Sequence, residues 1–160
     1  MNFIGRVEEL TKLNKNINSK KFNATLIFGR RRVGKSELIK HALENSNAVK
    51  IYYECKEVSE KSNVQGLSDI LSEELNLPKL SFSDIESILK YIFELSIEKK
   101  IVLVLDEYSY LKKTINGIDS ILQVLIDKYK DTCKMSLVIL GSYVDIMQSL
   151  LLHSNPLYGR

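Results

Sequence analysis

The sequence predicts an α/β fold, a three-layer α/β/α sandwich around a mainly parallel sheet. Two observations carry this prediction. Short β-prone runs alternate along the chain with longer segments whose apolar residues recur at helical spacing. The run from Ile101 to Leu105 is continuously aliphatic, which is typical of a parallel strand buried on both faces. Right-handed crossovers should place helices on both sides of the sheet, and residues 1–160 fit a single domain.

The individual elements follow in order along the chain. Apolar residues at helical spacing predict helices at residues 6–20, from about 34 onward, and at 62–75, 83–99, 118–129 and 144–152. Short apolar runs predict strands at 24–28, 49–53, 101–105 and 135–140. Ser83 is the expected N-cap of the 83–99 helix, with Asp84 and Glu86 in its first turn and two lysines at its end.

Composition excludes several classes of protein. A net charge of +3, 44% hydrophobic and 27% charged residues are ordinary for a soluble globular chain and do not indicate nucleic-acid or membrane binding. Cys55 and Cys133 form no C-x-x-C pair, so a metal site with cysteine ligands is not expected and a reduced cytoplasmic setting fits best. There is no signal-peptide pattern and no apolar run long enough to span a bilayer.

The most informative motif is Gly29-Arg30-Arg31-Arg32-Val33-Gly34-Lys35-Ser36, which reads G-x-x-x-x-G-K-S. An apolar strand precedes it and an amphipathic helix follows it, as a phosphate-binding loop requires. Its backbone N–H groups would cradle phosphates, Lys35 would reach the β- and γ-phosphates, and Ser36 would ligate Mg²⁺. The predicted nucleotide-binding stretch extends from Gly29 to Glu37. The three arginine side chains could grip phosphate, but we prefer the interpretation that they face solvent.

Two acids follow the aliphatic run and predict catalytic chemistry. Asp106 and Glu107 would stand at the carboxyl edge of the sheet, where ligands of open α/β sheets bind. Asp106 is suited to hold Mg²⁺ through water, and Glu107 to orient and deprotonate an attacking water. Such acids also commonly start loops or cap helices. The phosphate loop upstream favours the catalytic interpretation.

Two further residues leave alternatives open. Ser142 follows the last predicted strand and could contact the γ-phosphate, or it could cap the next helix. Arg160 could stabilise charge on a transferring phosphoryl group, although its spacing alone favours a solvated terminal arginine.

Together these motifs resemble the archaeal-type ATPase family, a branch of the AAA+/STAND-like P-loop ATPases that also occurs in bacteria. The resemblance runs in order through Phe3-Ile4-Gly5-Arg6, the phosphate loop, Leu-Asp-Glu-Tyr at 105–108, Leu-Gly-Ser-Tyr-Val at 140–144 and Pro-Leu-Tyr-Gly-Arg at 156–160. It covers nearly the whole chain.

The resemblance implies more than the spacing does. It implies an additional strand, residues 136–141, between the phosphate-loop strand and the Asp-Glu strand. It implies that Phe3, Ile4, Gly5 and Arg6 line an adenine pocket, that Ser142 is a sensor and that Arg160 belongs to the arginine-finger region.

Family members continue into a last core strand, a helical lid and C-terminal domains. The chain is therefore expected to be truncated before these parts. A DNA or protein partner would bind through the missing region, and the sheet edge beside the phosphate-loop strand would favour self-association.

Three functional hypotheses follow. The leading one is an ATPase that uses Mg²⁺ to hydrolyse the β–γ bond of ATP and couples hydrolysis to a conformational change. The alternative is a switch or scaffold that holds ATP or ADP with negligible turnover. A small-molecule kinase ranks third, because the adjacent Asp106-Glu107 pair favours water as the acceptor.

Overall fold

The computed structural model describes residues 13–29, 34–44 and 46–142. Four strands form one parallel sheet in the order β1-β4-β3-β2. Their bounds are Asn23–Gly29 for β1, Val49–Glu54 for β2, Ile101–Asp106 for β3 and Met135–Ser142 for β4. Because β4 lies between β1 and β3, the additional strand expected from the family resemblance is confirmed.

Helices connect the strands. Residues 13–17 are helical, and five further helices follow in the described part of the chain. They are α1 (Lys35–Leu43), α2 (Glu60–Glu74), α3 (Ile85–Leu95), α4 (Ser109–Thr114) and α5 (Ile118–Tyr129). The bounds of α5 agree with the sequence-based prediction, whereas α4 was not predicted. The predicted helical residues 6–12 and 144–152 lie outside the described residues.

The helices cover both faces of the sheet, which confirms the three-layer prediction. On one face, α1 and residues 13–17 pack with alternate strand residues, among them Val102, Val104, Val138 and Leu140. On the other face, α2, α3 and α5 pack against the intervening residues of the same strands. Every residue of β3 is buried, as its aliphatic run predicted.

The predicted N-cap of α3 is wrong by one residue. Asp84, not Ser83, has the extended cap conformation, and its carboxylate accepts a 2.8 Å hydrogen bond from the backbone N–H of Ser87. The Ser87 hydroxyl donates to the same carboxylate oxygen at 2.7 Å. Asp and Ser cap helices equally well, so the pair of hydrogen bonds from Ser87 decides between the two adjacent candidates.

The end of α3 also differs from the prediction. The helix ends at Leu95 rather than at Lys99. The buried Ser96 hydroxyl donates to the carbonyl of Phe93 at 2.6 Å, and the Ser96 carbonyl accepts a 2.7 Å hydrogen bond from the N–H of Lys134. The backbone also tightens here, because the N–H groups of Ile97 and Glu98 bond to carbonyls three residues back rather than four.

Two smaller observations complete the fold. Cys55 and Cys133 are both free and buried. None of the helices within the described ranges is long and apolar enough to cross a bilayer.

Candidate functional site

The phosphate-loop motif joins β1 to α1 at the carboxyl edge of the sheet. Gly29 ends β1 and pairs in register with Ser142 of β4. Gly34 precedes α1 with φ of 80° and ψ of 23°, a left-handed conformation that glycine adopts without steric cost. Its carbonyl accepts the first hydrogen bond of the helix, from Leu38 N–H at 2.9 Å. The backbone therefore turns into α1 at the glycine that the motif specifies.

The hydroxyl of Ser36 meets the carboxylate of Asp106. Ser36 Oγ donates a 2.7 Å hydrogen bond to Asp106 Oδ2. The alternation of side chains along β3 explains this contact, because Val102 and Val104 face α1 and Asp106 lies on the same face of the strand. The two residues predicted as metal ligands are thus brought together.

A third side chain completes this contact, and the sequence did not single it out. The Tyr52 hydroxyl donates a short hydrogen bond to the same oxygen of Asp106. Burial, followed by that hydrogen bond, raises the pKa of Tyr52, so the phenol stays protonated and remains a donor. The sequence favours strand packing over a stacking platform as the role of Tyr52 and Tyr53. The alternation of side chains along β2 distinguishes the two tyrosines, since Tyr52 lies two positions before the end of the strand and on the α1 side of the sheet.

The other oxygen of the Asp106 carboxylate is unsatisfied. Asp106 is 4% exposed, and its Oδ1 is buried with no hydrogen-bond partner among the described residues. A buried carboxylate oxygen without a partner is costly, and buried acceptors in native proteins are nearly always paired. The arrangement suits a ligand that offers positive charge or a donor at this point.

The donor set at this point is consistent with magnesium. It consists of a hydroxyl and a carboxylate, the hard oxygen ligands that Mg²⁺ prefers. No group of three or more His, Cys, Asp or Glu side chains in the described ranges could hold a metal by itself. A cation here would therefore complete its shell with water and phosphate oxygens, as magnesium does in nucleotide sites.

Glu107 has an unusual backbone conformation. Its φ is 55°, in the left-handed region that a glutamate seldom adopts. Hydrogen bonds on both sides fix this turn. The Asp106 carbonyl accepts from the N–H of Cys55 at 2.8 Å, and the Tyr108 N–H donates to the Leu140 carbonyl at 3.0 Å.

A buried polar cluster anchors the residue after Glu107. Tyr108 is fully buried, and its hydroxyl donates a 2.6 Å hydrogen bond to Asp119 Oδ1. Lys112 forms a 2.6 Å ion pair with the other oxygen of Asp119. Burial, together with the Asp119 charge, raises the pKa of Tyr108, so this hydroxyl stays a donor. A strained backbone angle such as the positive φ of Glu107 persists where neighbouring contacts fix it, and such residues cluster at functional sites.

The other predicted site residues fall into two groups. Lys35 opens α1, Glu37 is exposed in its first turn, and Ser142 ends β4 beside Gly29. The remaining predictions lie outside the described residues: Phe3, Ile4, Gly5, Arg6, Arg30, Arg31, Arg32, Val33 and Arg160.

Comparisons with known proteins agree with this geometry. A sequence model of the ATPase domain predominantly from Archaea matches residues 3–160. Uncharacterized protein MJECL04 of Methanocaldococcus jannaschii is 30% identical over 159 residues, which are 99% of this chain and 34% of that protein. Uncharacterized ATP-binding protein MJ0423 of the same organism is 51% identical over 43 residues, 27% of this chain and 73% of that protein.

Solved structures of two archaeal proteins have a similar fold. The Walker-type ATPase PABY2304 of Pyrococcus abyssi matches with a TM-score of 0.68 and 20% identity over 97% of this chain and 51% of its own. Cdc6p from Pyrobaculum aerophilum matches with a TM-score of 0.69 and 20% identity over 99% of this chain and 44% of its own. The chain thus spans about a third of its long curated relative and about half of these structures.

Proposed function

Because the chain belongs to the family of ATPase domains found predominantly in Archaea, we propose that it binds ATP with Mg²⁺ at the phosphate loop and hydrolyses the β–γ bond. The observation that carries this proposal is the 2.7 Å hydrogen bond from Ser36 to Asp106, beside an unpartnered carboxylate oxygen. This hydrogen bond links α1, which follows the phosphate loop, to the acidic end of β3. A nucleotide hydrolase needs the phosphate-binding loop and the acidic residues in one site.

Phosphate binding rests on the turn from β1 into α1. Backbone N–H groups between Gly29 and Gly34 would cradle the phosphates, and the N-terminus of α1 would add its positive dipole. Lys35 would interact with the β- and γ-phosphates. Phe3, Ile4, Gly5 and Arg6 would line the adenine pocket, as the family resemblance implies.

Metal binding rests on Ser36 and Asp106. The Ser36 hydroxyl can offer a lone pair to a cation while its O–H continues to donate to Asp106 Oδ2, as it does in the structure. Oδ1 would then accept a hydrogen bond from a water in the shell of the ion. Ser36 and Asp106 would hold the ion, and its positive charge would neutralise the charge that develops on the phosphates.

Hydrolysis rests on Glu107. Its fixed turn would direct the carboxylate toward a water in line with the γ-phosphate, which it would orient and deprotonate. Ser142 ends the strand next to β1 and would sense the γ-phosphate. Arg160 would stabilise charge on the transferring group, within one chain or from a neighbouring one.

The experiment compares steady-state phosphate release by the 160-residue chain, Glu107→Gln and Glu54→Gln. Glu54 is a matched control, because it is an exposed acid at the end of the adjacent strand and pairs in register with Asp106. Glu107→Gln should lose release at least a hundredfold while it still binds ATP, since general bases contribute about 10²–10⁴-fold. Glu54→Gln should keep the wild-type rate.

Two results would count against the proposal. Wild-type release in Glu107→Gln would remove the assigned role of that residue. Stoichiometric ATP or ADP retained by the wild-type chain without turnover would favour the nucleotide switch instead.

Partners of the whole protein belong to the same proposal. A DNA or protein partner would engage parts beyond the segment shared with MJECL04, of which this chain spans 34%.

We also propose that the chain self-associates through the ATPase core. Within the described sheet β1 has a neighbour on one side only, and an unpaired edge can pair with another chain. Light scattering across a concentration series tests it, and a constant monomer mass would contradict it.

A further inference from the structure

The Asp106 carboxylate is held by two hydroxyls that come from different elements. Ser36 reaches Oδ2 from α1, and Tyr52 reaches the same oxygen from the neighbouring strand β2. Both donors converge on one oxygen, and Oδ1 has no hydrogen-bond partner in the part of the chain that the structure describes. The carboxylate is therefore fixed in rotation with one free acceptor, although the terminal torsion of an aspartate is normally broad.

The Tyr52 ring is itself held in place. It packs against the cluster under α1, and Lys40 of α1 lies over it with Nζ 5.4 Å from the ring centroid. A rigid ring carries its hydroxyl as a fixed donor, because the phenol oxygen lies in the plane of the ring. Tyr52 thus connects β2 to the end of β3 at the point where the nucleotide site is proposed.

We propose that Tyr52 is a positioning residue for the metal site. Its hydroxyl locks Asp106 so that Oδ1 is presented to the shell of the cation while Ser36 stays free to offer its oxygen to the metal. This inference rests on the proposed function. The Tyr52 hydroxyl contacts Asp106, and it would act on the cation through that carboxylate.

A purely structural role makes a different prediction. If the hydrogen bond only joined β2 to β3, its loss would lower the stability of the chain and change nucleotide affinity equally with and without metal. A positioning role changes the metal-dependent part of the affinity and leaves metal-free binding unchanged. The two roles are therefore separable by one pair of titrations.

The test uses Tyr52→Phe, which keeps the ring and removes the hydroxyl. Calorimetric titration measures the affinity for ADP with MgCl₂ and, separately, with EDTA; the ratio of the two affinities is the metal increment. Tyr53→Phe is the matched control, because its hydroxyl bonds Asn63 on the other face of β2. Thermal unfolding of both variants checks that each is folded.

We expect the metal increment to fall about tenfold in Tyr52→Phe, as for the loss of other outer-shell partners, and to stay at the wild-type value in Tyr53→Phe. In an Asp106→Asn background, Tyr52→Phe should have no further effect, because the two act as one unit. A full metal increment in Tyr52→Phe would overturn the inference and leave the proposed function standing. A wild-type chain without any metal increment would overturn both. If Tyr52→Phe unfolds, Tyr52→Leu provides the same test, because leucine also lacks a donor for Asp106, and a full increment there has the same meaning.

Discussion

Ser36 Oγ donates a 2.7 Å hydrogen bond to Asp106 Oδ2 across 70 positions of the sequence. The first prediction concerns this bond. Ser36→Ala should lower the affinity for ADP with Mg²⁺ at least tenfold, because it removes the proposed metal ligand and the donor that orients Asp106. Affinity in EDTA should change less than twofold. Calorimetric titration measures both values.

Ser68→Ala is the matched control for this variant. Ser68 is buried in α2, and its hydroxyl donates to the Val64 carbonyl at 2.7 Å, away from the site. Ser68→Ala should bind ADP with Mg²⁺ like the wild-type chain. Equal losses with and without metal in Ser36→Ala would contradict its assigned role as a ligand.

Glu107→Gly should separate stability from activity. Glycine avoids the steric cost of about 1–2 kcal/mol that a side chain incurs in the left-handed conformation. Glycine also increases the conformational entropy of the unfolded chain, which lowers stability by about 0.4–1 kcal/mol. The variant should therefore unfold with a free energy about 0.5 kcal/mol higher and release no phosphate. Urea denaturation and phosphate release measure the two quantities.

Asn76→Gly provides the comparison, because Asn76 has a φ of 52° and ends α2 rather than lying at the site. It should keep full phosphate release. Its stability should change less than that of Glu107→Gly, since asparagine tolerates this conformation well. A Glu107→Gly variant less stable than the wild-type chain would show that contacts of the glutamate side chain outweigh its backbone strain.

Asn63 is predicted to be the residue that fixes the loop after β2. It is fully buried; its amide donates to the carbonyls of Lys56, Val58 and Ser59, and its Oδ1 accepts from the Tyr53 hydroxyl at 2.5 Å. Asn63→Ala should lower the free energy of unfolding by about 3 kcal/mol, because several buried groups lose their partner. Urea denaturation measures this change, and a loss under 1 kcal/mol would contradict the assigned role.

Lys100 should make stability depend on pH. Burial lowers its pKa from 10.5 to about 8, and its Nζ donates to the Ser136 hydroxyl at 2.6 Å. Between pH 8 and 10.5 the unfolded chain binds more protons at this lysine than the folded chain. The contribution of Lys100 to stability therefore rises with pH across that window and is least favourable below pH 8.

Lys100→Met isolates the contribution of Lys100 from that of the other titratable groups, which both chains share. The difference in unfolding free energy between Lys100→Met and the wild-type chain should shift in favour of the wild-type chain as pH rises from 7 to 10. Urea denaturation at a series of pH values measures it. A difference that does not change with pH would contradict the lowered pKa.

Periodicity and motif chemistry predicted most of the fold. The aliphatic run of β3 and the apolar face of α5 were found because each follows one period over its whole length. Ser36 and Asp106 were assigned from their motifs, and the structure brings them within hydrogen-bonding distance. The strand order came from the family resemblance, since no local pattern says which strands are neighbours.

The missed features depend on contacts between distant segments. The six residues of α4 are too few to establish a helical period, and the fully buried Leu111 within it packs against distant parts of the core. Just past the end of α3, the Ser96 carbonyl accepts a hydrogen bond from Lys134, which is remote in sequence. Tyr52 was read as packing because a tyrosine in a strand signals burial, whereas its hydroxyl partner is fixed only by the pairing of β2 with β3.

ATP hydrolysis at the phosphate loop is tested most directly by a single-turnover measurement, in which the chain is in excess over ATP and Mg²⁺ is present. Bound nucleotide is separated by chromatography after increasing times. The wild-type chain should convert all of the bound ATP to ADP and phosphate, whereas Glu107→Gln should hold ATP intact. ATP that stays bound and intact on the wild-type chain would contradict hydrolysis at this site.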